Sequence, residues 1–302
     1  MSKSAPALTI ALQKSSGFLG ARMAAFLSAN AAFELVPAEP NANLPIDVLL
    51  LNGWGSVPSS SAGQPLAEIT LSVMPLLQFV AGFSTAPPKH VVFFSSAGAV
   101  YANRTADSCA GWLPEAAELS PNSPYGAGKI AAEAFLRAES ARLGFALTIL
   151  RITNVYGPGQ AMRAGFGIVP AIYQTLAADA VMSLWPSSRQ PRDYLFIDDF
   201  LSALLALLSA PVPKALTQVF NLGSGVNASV PELIVIAKAL LQKNSAQTPP
   251  SQNSFKTSAP FAQLRDAEIA LPTAVAFQQA FNWRAQVSLK EGIARTFAYL
   301  AN

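Results

Sequence analysis

The sequence has little of what several classes of protein require. Its 302 residues include one cysteine and one histidine, and only 12% of them are charged. The single cysteine, Cys109, cannot form an internal disulfide, and one histidine leaves no basis for a cysteine–histidine zinc site or a histidine-based triad. So low a charge content excludes a disordered chain and a coiled coil. The net charge is only +3, without a run of Lys or Arg, so nucleic-acid binding is not indicated.

Long hydrophobic runs are also missing, although apolar residues make up 51% of the chain. No uncharged apolar run reaches the roughly 18 residues that a membrane-spanning helix needs. Lys3 and the short apolar stretch 5–12 resemble the start of a signal peptide, but no small-residue cleavage site follows them cleanly. A first β-strand is the favoured interpretation, and we expect a cytoplasmic protein that does not bind membranes.

Short apolar runs alternate with helical patterns along most of the chain. Predicted strands cover residues 8–12, 33–36, 47–51, 90–95, 145–151 and 219–222. Predicted helices cover residues 20–29, 66–83, 125–143, 168–178, 196–208, 231–242 and 288–301. Repeated strand–helix–strand units predict an α/β fold with a doubly wound parallel sheet, whose ligands bind at the carboxyl ends of the strands.

The most informative short motif is Tyr125-Gly-Ala-Gly-Lys129 at the start of a predicted helix. Residues four apart share one helix face, so the phenol and the ammonium are expected to look into one cleft. A nearby ammonium favours phenolate, which predicts a lowered Tyr125 pKa and a side chain able to carry a proton during hydride transfer. By itself the pattern is weak, because a surface helix can carry such a pair incidentally.

Other segments in the same order strengthen this interpretation. They are Phe94-Ser-Ser-Ala-Gly-Ala-Val-Tyr101, Ser123-Pro-Tyr-Gly-Ala-Gly-Lys129, Leu150-Arg-Ile-Thr-Asn-Val-Tyr-Gly157, Arg192-Asp-Tyr194, Phe220-Asn-Leu-Gly-Ser-Gly225 and Ser288-Leu-Lys-Glu-Gly292. Together they resemble the extended short-chain dehydrogenase/reductase family, in its NAD-dependent epimerase/dehydratase branch. The resemblance is strong from about residue 85 onward and weaker before it.

The resemblance implies a Rossmann-like fold, an NAD or NADP cofactor, and a nucleotide-sugar substrate. It implies that Tyr125 is the catalytic acid/base and also contacts the cofactor. It implies that Lys129 holds the nicotinamide ribose and takes part in catalysis by tuning Tyr125. Asn154 would contact the nucleotide-sugar and Arg192 its diphosphate. Lys256 is a weaker candidate for a second phosphate contact. The alternative for Arg192 is a structural ion pair with Asp198 or Asp199.

The family's glycine-rich turn, G-x-x-G-x-x-G, departs from its pattern here. Gly17 and Gly20 remain, and with Phe18 and Leu19 they are the expected pyrophosphate-binding segment at a helix N-terminus. Lys14 stands at the first glycine position, where a side chain could crowd the turn if φ is positive. Alternatively, Lys14 reaches a cofactor phosphate, such as the 2′-phosphate of NADP.

Two further departures concern the cofactor's adenine end and the catalytic hydroxyl. Only residues 37–46 separate two predicted strands, too few for the family's additional strand and helix, so we expect an edge strand to be missing and an open adenine pocket with Glu39 as a weak ribose contact. Asn52-Gly-Trp-Gly55 replaces a segment of small residues. Ala97 stands where relatives carry a catalytic Ser or Thr. Ser96 is its expected substitute, and Ser95 joins the cofactor candidates, although the strand end favours a structural role.

We therefore expect a dinucleotide-binding domain at 1–160, to which 193–222 returns, and a substrate lobe formed by 161–192 and 223–302. An epimerase or reductase acting on a nucleotide-linked sugar is the favoured function. A catalytically weakened, non-enzymatic binding scaffold is the alternative. Small residues at 130–134 permit a helix-mediated homodimer.

Overall fold

The computed structural model describes residues 7–40, 44–57, 60–101, 112–161, 167–184, 186–213, 217–244, 255–257 and 271–302. The strands of the main sheet are β1 Leu8–Leu12, β2 Phe33–Val36, β3 Val48–Leu51, β4 His90–Ser96, β6 Ala146–Ile152 and β10 Thr217–Leu222. The shorter strands are β5 Trp112–Leu113, β7 Asn154–Tyr156, β8 Met182–Leu184, β9 Arg192–Phe196, β11 Asn227–Ala228, β12 Phe255–Thr257 and β13 Leu271–Pro272. The helices are α1 Gly17–Ser28, α2 Pro65–Glu68, α3 Met74–Ala81, α4 Ala97–Val100, α5 Pro124–Leu143, α6 Ile168–Ala177, α7 Ile197–Ser209, α8 Val230–Asn244, α9 Val275–Phe281 and α10 Leu289–Leu300.

The core of the molecule is a six-stranded sheet in the order β10-β6-β4-β3-β1-β2, and every neighbouring pair is parallel. Strands β3 and β4 are buried along almost their whole length, as expected for a parallel sheet covered on both faces. The chain runs from β1 outward to β2 and then returns to β3 on the other side of β1. The strand order therefore reverses between β1 and β3, which is where ligands bind in doubly wound sheets.

Strand β2 is the edge of this sheet, as the short 37–46 connection predicts. The described residues of that connection, 37–40 and 44–46, contain no strand. Glu39, in this connection, is exposed. The expected loss of one edge strand is thus confirmed.

The predicted helix at 66–83 is interrupted upstream of Pro75. Residues Ile69–Val73 between α2 and α3 form a π-helical turn, in which the Met74 N–H donates to the Ile69 carbonyl five residues earlier. Proline lacks an N–H and its ring clashes with the carbonyl four residues back, so the wider turn accommodates it. The segment remains one continuous helical rod with a local distortion.

Helix α5 has the termini that the sequence predicts. The Ser123 hydroxyl accepts a hydrogen bond from the Gly126 N–H, Pro124 occupies the first turn, and Gly144 ends the helix with φ of 79°. Because these signals are local, the start of the helix is fixed by residues adjacent to Tyr125. The cap of α5 therefore fixes where Tyr125 and Lys129 lie along the helix.

The remaining strands form three small sheets, β11-β9-β7, β12-β8 and β13-β5, none of which the sequence pattern predicts. Helices α6, α7, α8 and α10 bury their apolar faces in the largest core cluster, which extends from the main sheet into this part of the chain. Across the described ranges, no helix combines the length and hydrophobicity required to cross a bilayer.

Candidate functional site at the carboxyl ends of the strands

The turn between β1 and α1 keeps the geometry of a phosphate-binding loop despite its lysine. Lys14 is exposed and is not among the described non-glycine residues with positive φ, so the turn carries it without backbone strain. Gly17 has φ of 77°, a conformation that favours glycine. A Cβ at Gly20 would lie 2.4 Å from the Lys14 carbonyl oxygen. Phe18 and Leu19 pack partly against the core, which leaves their backbone at the N-terminus of α1.

Replacing Gly20 with Ala is expected to destabilise the protein by about 1–3 kcal/mol, because the new Cβ meets backbone that has to shift. The shift moves the turn that would cradle a pyrophosphate, so dinucleotide affinity should fall as well. Urea denaturation measures the first effect and titration the second. Ala21→Ser, on an exposed position of the same helix, is the matched control and should change neither by a measurable amount. An unchanged stability for Gly20→Ala would contradict the close packing.

Lys129 lies deep in the site with only 4% of its surface exposed. Its Nζ donates to the Phe94 carbonyl at 2.8 Å and lies 3.9 Å from the centre of the Trp54 ring. The Tyr125 ring centre is 5.7 Å from the same nitrogen. Tyr125 and Lys129 therefore share one wall, as predicted from their spacing.

Burial lowers the pKa of Lys129 to about 7, against the opposing pull of the Glu68 and Glu133 carboxylates. The folded protein then releases this proton near pH 7, whereas the unfolded chain holds it up to about pH 10.5. Because the unfolded state binds more protons over that window, the free energy of unfolding should rise with pH, by up to about 1.4 kcal/mol per pH unit.

The measurement is urea denaturation at several pH values between 7 and 10, on the wild type and on Lys129→Met. The wild type should gain stability relative to Lys129→Met as the pH rises. If the two proteins show the same pH dependence, Lys129 does not titrate in this window.

The expected lowering of the Tyr125 pKa by Lys129 is wrong for this geometry. Burial raises the pKa of Tyr125 to about 12, a hydrogen bond with the Ser96 side chain opposes the shift, and the nearby Glu68 carboxylate adds to it. The Lys129 ammonium contacts the Trp54 ring and the Phe94 carbonyl instead of tuning the phenol. The spacing of Tyr125 and Lys129 along one helix face does not indicate that Trp54, Phe94 and Glu68 surround them.

Ser96 occupies the place that the sequence suggests for a substitute hydroxyl. It ends β4, is partly exposed, and hydrogen-bonds the Tyr125 side chain. Ala97 is buried, with 1% exposure, at the start of α4. The role of Ser96 as the substitute hydroxyl stays a prediction.

Ser95 points into the protein, in agreement with its structural interpretation. Its hydroxyl donates to Glu133 Oε1 at 2.6 Å, and Glu133 forms a buried ion pair with Arg151 at 2.7 Å. Arg151 also donates to the Tyr101 hydroxyl, which in turn donates to Asn221. Only the backbone of Ser95 is left for a cofactor contact, while its side chain anchors α5 to the sheet.

The sequence reading missed Glu68 as a member of the site. Glu68 is 2% exposed and accepts hydrogen bonds from Trp54 Nε1 at 2.9 Å and from the Ser56 hydroxyl at 2.6 Å. The unusual Asn52-Gly-Trp-Gly55 segment was the available signal. A buried indole N–H needs a hydrogen-bond acceptor, and the tryptophan among small residues at a strand end therefore indicates that such an acceptor lies nearby. Nothing local to Glu68 distinguishes it in the sequence.

The three residues predicted to bind the substrate lie in different surroundings. The Asn154 side chain donates to the Asp193 carbonyl at 2.9 Å, which ties β7 to β9. Arg192 is exposed, and its Nη1 lies 3.9 Å from where a Cβ at Gly98 of α4 would be, two residues after the end of β4. Lys256 lies on β12, opposite Ser183 of β8, and its side chain is outside the described residues.

The alternative interpretation of Arg192, an ion pair with Asp198 or Asp199, is wrong. Asp198 pairs with Arg22 at 3.0 Å and Arg295 at 3.5 Å. Asp199 accepts hydrogen bonds from the backbone of residues 286 and 287. The Arg192 guanidinium therefore lies near the ends of the strands and is not paired with these carboxylates.

The model of the NAD dependent epimerase/dehydratase family matches residues 43–223 of this chain. Among curated proteins, the UDP-glucose 4-epimerase of Mycolicibacterium smegmatis is 28% identical over 243 residues, which cover 80% of this chain and 72% of that protein. The dTDP-L-rhamnose 4-epimerase of Burkholderia thailandensis is 33% identical over 185 residues, 61% of this chain and 48% of that protein. The chain thus spans about half the length of the second relative.

Solved structures agree over nearly the whole chain. A UDP-glucose 4-epimerase from Thermotoga maritima, determined with UDP-glucose, superposes with a TM-score of 0.79 at 20% identity, covering 97% of this chain and 99% of that one. RMD from Pseudomonas aeruginosa, complexed with NADPH, gives 0.78 at 22% identity and covers 97% and 98%. These likenesses establish the Rossmann-like fold of this chain.

Proposed function

Since this chain belongs to the NAD-dependent epimerase/dehydratase family, we propose that it is an NAD(P)-dependent epimerase or reductase acting on a nucleotide-linked sugar. The observation that carries the proposal is the placement of Tyr125, Lys129 and Ser96 together at the carboxyl ends of the strands, beside the point where the strand order reverses. This is where a doubly wound sheet binds a dinucleotide. Curated relatives include UDP-glucose and dTDP-L-rhamnose 4-epimerases and a dTDP-4-dehydro-6-deoxyglucose reductase, which supports the substrate class.

The turn before α1 fits the pyrophosphate of a dinucleotide. The close approach at Gly20 and the positive φ of Gly17 bring the backbone N–H groups of the helix N-terminus to the surface. Lys14, exposed beside this turn, is proposed to contact a cofactor phosphate, which would favour NADP. When bound, the dinucleotide supplies a hydride acceptor or donor at its nicotinamide ring.

Tyr125 is proposed to handle the proton that accompanies this hydride. During oxidation of a carbinol, the C–H hydrogen leaves as hydride while the hydroxyl proton passes to Tyr125 as phenolate, and reduction reverses both transfers. Ser96 would orient the sugar oxygen, and Lys129 would hold the nicotinamide ribose. Because burial raises the pKa of Tyr125 to about 12, its phenol is protonated at neutral pH and can serve as the proton donor of a reduction.

Arg192 and Asn154 are proposed to bind the nucleotide-sugar, with Lys256 as a further phosphate contact. A guanidinium fork suits a diphosphate, and that of Arg192 lies near Gly98, close to Ser96. We propose residues 1–160 with 193–222 as the dinucleotide-binding domain, supported by the pairing of β10 with β6 in the main sheet. Residues 161–192 and 223–302 would form the substrate lobe.

A homodimer is proposed through the face formed by α5 and the rod from α2 to α3. These elements pack together, and both leave large apolar side chains exposed, including Leu66, Ile69 and Phe135 at 71%, 53% and 52%. Sedimentation velocity should show a dimer that Phe135→Glu dissociates.

We also propose a cytoplasmic location, for which the low cysteine content is the support.

A non-enzymatic binding scaffold remains the second candidate, because Trp54 lies over the ammonium that should hold the ribose. The two candidates differ in one experiment. The enzyme proposal expects interconversion or reduction of at least one UDP- or dTDP-linked hexose in the presence of NAD⁺, NADH or NADPH, followed by NMR of the sugar. Dinucleotide binding without any turnover across such a panel would favour the scaffold.

A further inference from the structure

The indole of Trp54 covers the ammonium of Lys129. The Lys129 Nζ lies 3.9 Å from the centre of the Trp54 ring and 4.9 Å from that of Phe93, and its Phe94 hydrogen bond holds it on the sheet side. The Trp54 ring also meets that of Tyr125 edge to face, with the ring centres 6.3 Å apart. Only 4% of the lysine surface is exposed, so a ribose hydroxyl has little access to Nζ in this arrangement.

The loop that carries the indole, residues 52–57 and here named the Trp54 loop, is built to hold it there. A Cβ at Gly53 would lie 2.6 Å from the Gln13 side chain, and one at Gly55 would lie 2.3 Å from the Leu71 carbonyl oxygen. The Gly53 N–H donates to Gln13 Oε1 at 2.9 Å. A side chain at residue 55 would collide with the backbone of Leu71, whereas one at residue 53 would have to displace only the end of the Gln13 side chain. The close contact at Gly55 and the Gly53–Gln13 hydrogen bond hold the loop against the π-helical turn and the residue that follows β1.

A buried carboxylate ties the indole in place. Trp54 Nε1 donates to Glu68 Oε1 at 2.9 Å, and Ser56 of the same loop donates to the other oxygen at 2.6 Å. Glu68 itself fits only because residue 128 is glycine, since a Cβ there would lie 2.8 Å from Glu68 Cγ. Trp54, Glu68 and Gly128 thus form one contact set.

We propose that Trp54, anchored by Glu68, is a cover over the ribose-binding lysine that a dinucleotide must displace in order to bind. This rests on the proposed function, in which Lys129 holds the nicotinamide ribose. The indole and the ribose compete for one ammonium, so the free energy of breaking the Trp54–Lys129 and Trp54–Glu68 contacts opposes dinucleotide binding. Removing the indole should therefore expose Lys129 and tighten the dinucleotide.

The first arm of the test needs no cofactor. Brief acetylation with acetic anhydride at several pH values between 7 and 10, followed by peptide mass spectrometry, gives the labelling rate of the neutral Lys129 amine, which is the only form that reacts and whose fraction depends on the lysine pKa. We expect this rate to rise at least tenfold in Trp54→Ala over the wild type. Lys89, whose side chain is 70% exposed, is the internal reference and should be labelled equally in both proteins. Trp54→Phe keeps an aromatic face over Lys129 but loses the indole N–H that donates a hydrogen bond to Glu68. Its labelling rate at Lys129 should therefore lie between those of the wild type and Trp54→Ala.

The second arm is calorimetric titration of the same proteins with NAD⁺ and NADP⁺. The cover predicts at least tenfold tighter binding by Trp54→Ala, and protection of its Lys129 from acetylation by saturating dinucleotide. Equal labelling of Lys129 in wild type and Trp54→Ala would overturn the cover, and the proposed function would stand if both proteins still bind dinucleotide. Faster labelling without dinucleotide binding by either protein would overturn both the competition and the proposed function. Faster labelling with equal or weaker affinity would overturn the competition alone.

Discussion

Replacing Tyr125 with Phe is expected to lower kcat by a factor of about 10²–10⁴, because the variant loses the group that carries the proton during hydride transfer. Dinucleotide affinity should fall much less than kcat, since most of the proposed cofactor contacts, including Lys129, are kept. Because burial keeps the phenol uncharged, removing its oxygen should change the free energy of unfolding little. The measurement is turnover of whichever nucleotide-sugar the wild type accepts, together with titration of the dinucleotide.

Ser96→Ala is the matched comparison for Tyr125→Phe. It removes the hydroxyl that hydrogen-bonds the phenol but leaves the proton carrier, so a smaller loss of activity is expected. Wild-type turnover by Tyr125→Phe would show that another group moves the proton, and the role given to Tyr125 would be wrong.

Breaking the buried ion pair between Glu133 and Arg151 should have the largest effect on stability. Both side chains are 3% exposed and their atoms lie 2.7 Å apart. Glu133→Ala leaves an unpaired guanidinium in the interior and should lower the free energy of unfolding by about 3–5 kcal/mol. Because Glu133 lies four residues after Lys129 on α5 and accepts from Ser95, the loss should also loosen the helix that carries the site. Urea denaturation measures the effect.

Two controls separate the buried pair from charge loss in general. The double variant Glu133→Leu/Arg151→Met should cost less than Glu133→Ala, since it leaves no unpaired charge. Arg142→Ala breaks an exposed pair with Glu139 at the far end of the same helix and should cost about 1 kcal/mol or less. A Glu133→Ala cost no larger than that of Arg142→Ala would contradict the importance of the buried pair.

Features set by neighbouring residues could be predicted from the sequence. The Ser123 cap, Pro124 and Gly144 define α5 within the helix itself, and the ten residues at 37–46 are too few for another strand and helix. The fold class follows from the alternation of strands and helices, which the six-stranded parallel sheet confirms.

Features that depend on contacts between distant segments were missed or predicted wrongly. Glu68 reaches the site from α2 and Trp54 from the loop after β3, and the two surround a lysine some 60 residues further along the chain. Burial raises the pKa of Tyr125 and lowers that of Lys129, while the charge of Glu68 acts to raise both. Spacing along a helix gives the relative position of Tyr125 and Lys129 but says nothing about what packs over them.

We propose that a dinucleotide binds with its ribose on Lys129, and the decisive measurement is calorimetric titration of NAD⁺ and NADP⁺ into the wild type and Lys129→Met. We predict saturable one-to-one binding of at least one dinucleotide by the wild type, weakened at least tenfold in Lys129→Met. Equal affinity in the two proteins, or no heat of binding with either dinucleotide at millimolar concentration, would contradict the claim.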